Sequence, residues 1–477
     1  VEAEPESFEG AVVVQPMTGF YTDAVSCLDF ASLYPSIMRA LNMSYETLVR
    51  RSVVEQMMSE GKWVQLKGKD EGMGVRTIPD FSYVDMKLKT SINPDSPTFV
   101  SKTVRKGLLP EILESVLAER KAVKKMMKAL NDPSCTMYKV YDGRQLGLKV
   151  VANSIYGFTG AINGFLPEKR IAASVTKYGR YMINQTKEKV ENHPVWGKKY
   201  GCKCIYGDTD SVFVHIPRKM MTADTEQELM EKAHKQGSEM ADYITNIFLP
   251  PNELEYEKSY SSFLLLKKKR YAGHKYEPGH PPKLQIKGLE AARRDYAPLL
   301  VQTQKKMLNI LLLDRDKKQA IEYVKGVVKD LMSNKVPLNL LVMSKKLSRA
   351  PKDYKAMAAH VNLALRLEKE SPEEAPVAGD RVDYVIYCGN STKTSECACL
   401  PREIESGKYQ VDRDYYLDKQ LKGPLLRILE KVVRKPEDVF QCNVIFRKQP
   451  ITGFFGSFLR KRKMPDLSNC SEQEKSK

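Results

Sequence analysis

Tyr206-Gly207-Asp208-Thr209-Asp210-Ser211 sits between two β-forming runs, Lys203-Cys204-Ile205 before it and Val212-Phe213-Val214-His215-Ile216 after it. The stretch reads as a hairpin tip, with Gly207 expected to take the positive φ. Asp208 and Asp210 are two positions apart, and an extended backbone aims such side chains at the same side. Carboxylates crowded together resist joint ionisation, and a divalent cation relieves that repulsion. Taken alone, the stretch fits a solvated acidic turn equally well.

The 477 residues exceed one ordinary core and predict about two to four subdomains. The net charge of +18, from 77 Lys and Arg against 59 Asp and Glu, points to a polyanionic partner. Nucleic acid is the first such partner and an anionic membrane surface the second. The sequence has no apolar run long enough to span a bilayer. Val1-Glu-Ala-Glu-Pro5 lacks a signal core, and Val1 predicts a start inside a longer protein. Nine cysteines, an odd number, suit reduced thiols inside a cell. Cys202-Lys-Cys204 and Cys397-Ala-Cys399, with Cys388, have C-x-C spacing without a matching C-x-x-C or His set, so zinc is not expected. There is no G-x-x-x-x-G-K-[ST] phosphate loop.

Working outward, Ala24 to Leu28 predicts a strand ending in Asp29-Phe-Ala-Ser-Leu-Tyr-Pro-Ser-Ile37. A helix is expected from about Pro35, with the amides of Ser32 and Leu33 facing an anion. Asp29 fits a metal ligand or a helix cap on spacing alone. Residues 51–107 read as an irregular excursion. Apolar spacing predicts helices over 108–130 and about 137–157, separated by Asn131-Asp132-Pro133. Arg120 and Lys124 lie one turn apart on the first helix, while Gln145, Lys149, Asn153, Tyr156 and Gly157 form a stripe on the second. Such cations are usually a solvated face, yet from two helices they could converge on one anion. Helices near 172–190 and 222–247 follow, then a strand from Leu254 and the run Lys267-Lys268-Lys269-Arg270-Tyr271. Cations interleaved with tyrosine suit a nucleic-acid backbone. From Leu299 to about Val433 the pattern is mostly helical. Three acids beside a cationic clamp suit phosphoryl transfer by two Mg2+ ions.

Asp29-Phe-Ala-Ser-Leu-Tyr-Pro-Ser-Ile37, Lys149-Val-Val-Ala-Asn-Ser-Ile-Tyr-Gly157 and Tyr206-Gly-Asp-Thr-Asp-Ser211 resemble motifs A, B and C of the B-family DNA polymerases, in that order. Lys268-Lys-Arg-Tyr271, Lys287-Gly-Leu-Glu290 and Gly379-Asp-Arg-Val382 resemble further segments of that family. The likeness extends to about residue 435. It is closest to polymerase delta and to the polymerases of large eukaryotic DNA viruses, herpesviruses included.

The resemblance implies an α+β right hand with an antiparallel-sheet palm (1–107 and 159–298), two-helix fingers (108–158), a mostly helical thumb (299–435) and a tail (436–477). It implies a replicative DNA-directed DNA polymerase acting on primer–template DNA and dNTPs, in the nucleus. Asp29 and Asp210 would bridge the metals, with Asp208 assisting and Glu257 a nearby auxiliary acid. Arg120, Lys124 and Lys149 would hold the phosphates, joined by the Ser32 and Leu33 amides. Asn153, Tyr156 and Gly157 would line the nascent base pair, and Tyr34 would exclude a 2′-hydroxyl. Lys268, Lys269, Arg270, Tyr271, Lys287 and Gly288 would grip DNA.

The family's exonuclease normally precedes the palm, so none is expected within this chain. A reverse transcriptase or RNA polymerase on a similar palm, and a non-catalytic DNA-binding relic, are the competing readings. Lys448-Gln-Pro-Ile451-Thr-Gly-Phe454-Phe455 resembles a sliding-clamp-binding peptide anchored by Ile451, Phe454 and Phe455, although Lys448 stands where Gln is usual. A short apolar tail docking on the thumb is the plainer reading of the same residues.

Overall fold

The computed structural model describes residues 10–440 apart from 12, 68, 79–82, 86–89, 93–95, 131 and 162. Eight strands build its main sheet: β1 (Val13–Val14), β2 (Gly19–Tyr21), β3 (Ala24–Phe30), β4 (Lys203–Asp208), β5 (Ser211–Ile216), β6 (Leu254–Lys267), β7 (Arg270–Glu277) and β8 (His280–Lys287). Their order is β1-β4-β5-β3-β6-β7-β8, with β2 also on β6. Every pairing is antiparallel.

Central β3 is apolar on both sides because both of its faces are covered. Val25 and Cys27 pack with Tyr206, Phe213, Tyr260 and Phe263 on one face. Ala24, Leu28 and Phe30 face the larger core on the other. Five helices frame the sheet: α1 (Leu33–Ala40), α2 (Leu108–Leu130), α3 (Thr136–Gly160), α4 (Lys169–Asn192) and α5 (Glu226–Thr245). Ile37 of α1, Val175 and Met182 of α4, and Met240 and Ile244 of α5 fill the larger core. Each fully buried Leu or Ile there stabilises the fold by roughly 1.5–3 kcal/mol. By alternation Asp29 shares the aromatic face with Val25 and Cys27.

Helices α2 and α3 form a hairpin at the positions their periodicity predicts. Asp132 Oδ1 accepts from the Ser134 amide at 2.9 Å in the turn between them. Arg144 Nη2 lies 2.6 Å from Glu119 Oε1 across the pair. Only Pro110, Leu113 and Val123 of α2 are buried, while its other apolar positions include the exposed Ile112, Met126 and Leu130.

The structure corrects several expectations. The positive φ at the acidic tip falls on Thr209 (65°), not on Gly207. Gly207 stays within β4, where a Cβ would come within 2.9 Å of Val14 Cγ2, so its role is close strand approach. Helix α1 begins at Leu33, two residues before Pro35. Because Pro35 lies in the first turn, its missing N–H still costs nothing. The 51–107 excursion contains a helix, Arg51–Ser59, and contributes to a four-stranded sheet of Leu48–Val49, Thr98–Val100, Gly74–Thr77 and Val64–Gln65. Beyond residue 298, helices such as Pro298–Asn309, Lys317–Met332 and Ala359–Glu370 share the segment with a three-stranded antiparallel sheet. Its strands are Met343–Lys346, Arg381–Ile386 and Ala398–Cys399, inside the stretch expected to be mostly helical. Their pairing is non-local, which a periodicity window does not see. Among the described residues no helix is long and apolar enough to cross a membrane.

Candidate active site

Three strands bring the acids to one end of the aromatic face. Asp29 is the penultimate residue of β3 and pairs with Ser211 of β5 on one side and Glu255 of β6 on the other. Asp210 lies in the turn between β4 and β5, and its carbonyl accepts from the Phe30 amide at 2.9 Å, fastening the tip to the end of β3. Asp208 closes β4. One of its oxygens lies 3.0 Å from Lys269 Nζ and the other accepts from Tyr206 OH at 3.3 Å. The β6 register shifts between Tyr256 and Lys258, leaving Glu257 as an extra residue against β3. Such a bulge re-aims a side chain, and the Glu257 carboxylate receives the Cys27 thiol at 3.4 Å and Lys258 Nζ at 2.7 Å.

Burial pushes the Asp29 carboxyl up to about 7, helped by the charges of Asp210 and Glu257 and opposed by Lys258 and Lys149. Asp210 is also raised, first by burial; its own amide lowers it, Asp208 raises it, Lys149 lowers it and Glu257 raises it. Neither Asp29 nor Asp210 has an ion-pair partner among the described residues. No three of the described His, Cys, Asp or Glu side chains form a ready metal cage. A magnesium ion needs only one or two carboxylates, with substrate phosphates and water completing its shell. Two crowded, half-desolvated carboxylates without a counter-ion fit that demand.

The α2–α3 hairpin supplies the opposing charge. Arg120 Nη2 donates to Gln145 Oε1 at 3.3 Å, joining the two helices. Arg120 Nε is buried without an acceptor. Burial lowers Lys124, as do Arg120, Lys128 and Lys149, while Glu255 raises it. The three predicted cations therefore share one electrostatic neighbourhood, and Lys149 also acts on Asp29 and Asp210. Ser32 adopts a left-handed conformation (φ 48°) at the start of α1 without a side-chain cap bond. That leaves the amides of Ser32 and Leu33 as open donors. Tyr34 and Tyr156 touch, with ring centroids 4.4 Å apart. Burial raises Tyr34, Asp210 adds to this and Arg180 opposes it, so its ring lies beside the acids. Asn153 and Gly157 are exposed on α3.

The basic run forms the turn from β6 into β7, with Lys269 at φ 59°. The Lys269 amide donates to Tyr206 OH at 2.7 Å, tying this turn to the acidic hairpin. Lys268 and Lys287 are exposed, whereas Tyr271 packs against the aromatic cluster. Gly288 has φ 66°, and a Cβ on it would lie 2.0 Å from the Lys269 carbonyl oxygen. Gly288→Ala is expected to cost about 3 kcal/mol of stability. Thermal melts check this, and unchanged melting would contradict it.

Pattern reading missed Glu255, whose charge acts on both Arg120 and Lys124, and Arg180 beside Tyr34 and Tyr156. The alternating acids of Leu254-Glu-Tyr-Glu carried a signal for Glu255, but its partner strand became visible only through the register. Ile451, Phe454 and Phe455 lie outside the described residues.

Two carboxylates without a counter-ion at one end of an antiparallel sheet, within electrostatic reach of Lys149 on a cationic helical hairpin, can hold a divalent cation beside a polyanionic ligand. The chain belongs to DNA polymerase family B, whose model matches residues 1–432. It is 41% identical over 436 residues to the DNA polymerase delta catalytic subunit of Drosophila melanogaster, covering 91% of this chain and 37% of that protein. The Oryza sativa delta catalytic subunit is 41% identical over 433 residues, covering 90% of this chain and 36% of its own length. That of Plasmodium falciparum is 36% identical over 488 residues, covering 98% and 41%. The chain thus spans well under half the length of these curated relatives.

Proposed function

We propose that this chain carries the polymerising module of a replicative DNA-directed DNA polymerase. The observation that carries the reading is the pair Asp29 and Asp210, crowded at one sheet end and facing Lys149. In this reading the main sheet is the palm, α2–α3 the fingers and the segment beyond residue 298 the thumb. Asp29 and Asp210 would hold two Mg2+ ions. When bound, these supply Lewis-acid activation of the primer hydroxyl and neutralise charge on the leaving phosphates.

The chain's own residues do the rest. Arg120, Lys124 and Lys149 hold the β- and γ-phosphates, and the buried unpaired Arg120 Nε is one donor a phosphate oxygen would satisfy. The Ser32 and Leu33 amides meet the triphosphate from the opposite side. Asp208, engaged by Lys269, keeps the hairpin aligned with the basic turn. The Tyr34 ring, braced by Tyr156, sits under the sugar and leaves no room for a 2′-hydroxyl. Lys268, Lys269, Arg270 and Lys287 meet the DNA backbone, which predicts binding that weakens steeply with salt.

Primer extension on a DNA template with Mg2+ tests the proposal. Wild-type chain is expected to extend with dNTPs and to reject rNTPs. Tyr34→Ala is expected to raise relative rNTP use by about 10–100-fold, the range a lost steric contact can deliver. Absence of extension, or unchanged extension by Asp210→Asn, would remove this assignment.

A further inference from the structure

The start of α2 is capped by side chains from a distant part of the chain. The Gly107 amide donates to Asn42 Oδ1 at 2.8 Å, the Leu109 amide to Ser44 Oγ at 3.2 Å, and the Leu108 amide to Glu46 Oε1. Pro110 has no N–H, and the Glu111 amide donates to the Gly107 carbonyl at 3.1 Å. Every donor that a helix start leaves orphaned is therefore taken. A helix is ordinarily capped by its own flanking residue. Here the acceptors lie 62 to 65 residues earlier in the sequence.

The capping loop is itself held tightly. Asn42 is 2% exposed, and Ser44 and Thr47 are fully buried. Asn42 Nδ2 donates to the Val100 and Arg105 carbonyls at 2.9 and 2.8 Å. Ser44 Oγ donates to Glu46 Oε2 at 2.7 Å, and the Ser44 amide donates to Thr47 Oγ1 at 2.9 Å. This loop directly follows α1, whose other end presents the Ser32 and Leu33 amides. At a rise of 1.5 Å per residue, Arg120 and Lys124 stand about 18 and 24 Å from Leu108 along α2. A tilt of about 15° at the anchor would move Lys124 by about 6 Å.

We infer that Asn42, Ser44 and Glu46 are positioning residues. They fix the pivot of the α2–α3 hairpin relative to α1, and so set the gap in which cations and amides grip one triphosphate. The inference rests on the polymerase reading given above. The solvent-accessible pairs at the same base, Arg39–Glu114 at 3.8 Å with Arg39 half-buried and Lys106–Glu114 at 3.2 Å, are too weak to do this alone.

Glu46→Ala, Glu46→Gln and wild type are compared by dNTP titration and by hydrogen exchange over residues 107–111. Glu46→Ala is expected to raise the dNTP KM about tenfold, the value of one charged hydrogen bond. Its kcat should change less than about threefold, and its primer–template affinity not at all. Gln keeps an acceptor for the Leu108 amide and is expected to restore both KM and exchange protection. If Glu46→Ala folds poorly, Ser44→Ala, which removes the Leu109 acceptor and the Ser44 hydroxyl donor to Glu46 but keeps the Glu46 carboxylate, takes its place. Faster exchange with unchanged KM overturns the positioning role, as do equal losses in Glu46→Ala and Glu46→Gln. If wild type extends no primer, the polymerase reading fails; unchanged exchange in Glu46→Ala rejects the cap by itself.

Discussion

Metal-free Asp29→Asn protein is expected to melt higher than wild type at pH 8, while its nucleotide transfer falls on the order of 10³-fold or more. The opposite signs come from one cause. Burial, Asp210 and Glu257 lift the Asp29 carboxyl from its ordinary 3.8 to about 7. A carboxyl raised in the folded state contributes stability that is fully present below the unfolded value and lost as pH rises through the folded one. Above pH 7 the folded protein therefore carries an ionised Asp29 that its surroundings disfavour. The interval from 3.8 to about 7 sets an upper bound of about 4 kcal/mol, and solvent at this partly exposed site reduces it to on the order of 2 kcal/mol.

Asn cannot ionise, so the variant escapes this cost and loses the pH dependence with it. Mg2+ should reverse the ranking. It should raise the melting temperature of wild type more at pH 8 than at pH 6, because its ligands must be deprotonated, and it should do little for the variant. Melting curves across pH 5 to 8.5, with EDTA or with Mg2+, measure both halves. If metal-free Asp29→Asn melts below wild type at pH 8, the two carboxylates do not repel as described. Asp210→Asn is expected to behave alike but with a smaller stability gain, since the Asp210 amide offsets part of its burial.

Local physics explains what could be read from the sequence. The hairpin of α2 and α3 was readable because 23- and 25-residue helices repeat the same signal many times. The acidic tip was readable as a turn, yet the residue taking positive φ was misassigned. Gly207 is the permissive residue, but β1 lies against it and the strand continues to Asp208, so Thr209 bends instead. Asp29 could be named from its motif, while its burial depended on β5 and β6, which are distant in sequence. The bulge at Glu257, the neighbourhood shared by Glu255 and Arg120, and the cap from Asn42, Ser44 and Glu46 are products of register and packing. No window of neighbouring residues contains them. The C-terminal sheet was missed for the same reason, since strands of two to six residues give too few repeats to outweigh the helical pattern around them.

Glu290→Ala is expected to cost about 2–3 kcal/mol, lowering the melting temperature by several degrees, and to weaken primer–template binding through a residue that need not touch DNA. Glu290 is 2% exposed and follows the β8 turn at Gly288. One oxygen receives both Arg270 and Arg427, the latter at 2.7 Å, and the other accepts from Gln304 Nε2 at 3.1 Å. A single carboxylate thus joins the basic turn of the main sheet to the helices Pro298–Asn309 and Gly423–Leu429. Removing it leaves the buried Gln304 Nε2 without its acceptor and leaves Arg270 held only by the Gly288 carbonyl at 3.0 Å. Both arginines keep contact with solvent, which limits the loss to below that of a fully buried triad. Arg427→Ala should therefore cost under about 1 kcal/mol. Burial pushes the Glu290 carboxyl up, but Gln304, its own backbone and the two arginines outweigh this and hold it below its usual 4.5. The stability it contributes is present above 4.5 and lost as pH falls through the lower folded value. The melting difference between wild type and Glu290→Gln should accordingly shrink as pH falls below the ordinary 4.5. Equal losses in Glu290→Ala and Arg427→Ala would instead place the main stabilisation in the Arg427–Glu290 pair, and intact DNA affinity in Glu290→Ala would release Arg270 from the grip assigned to it.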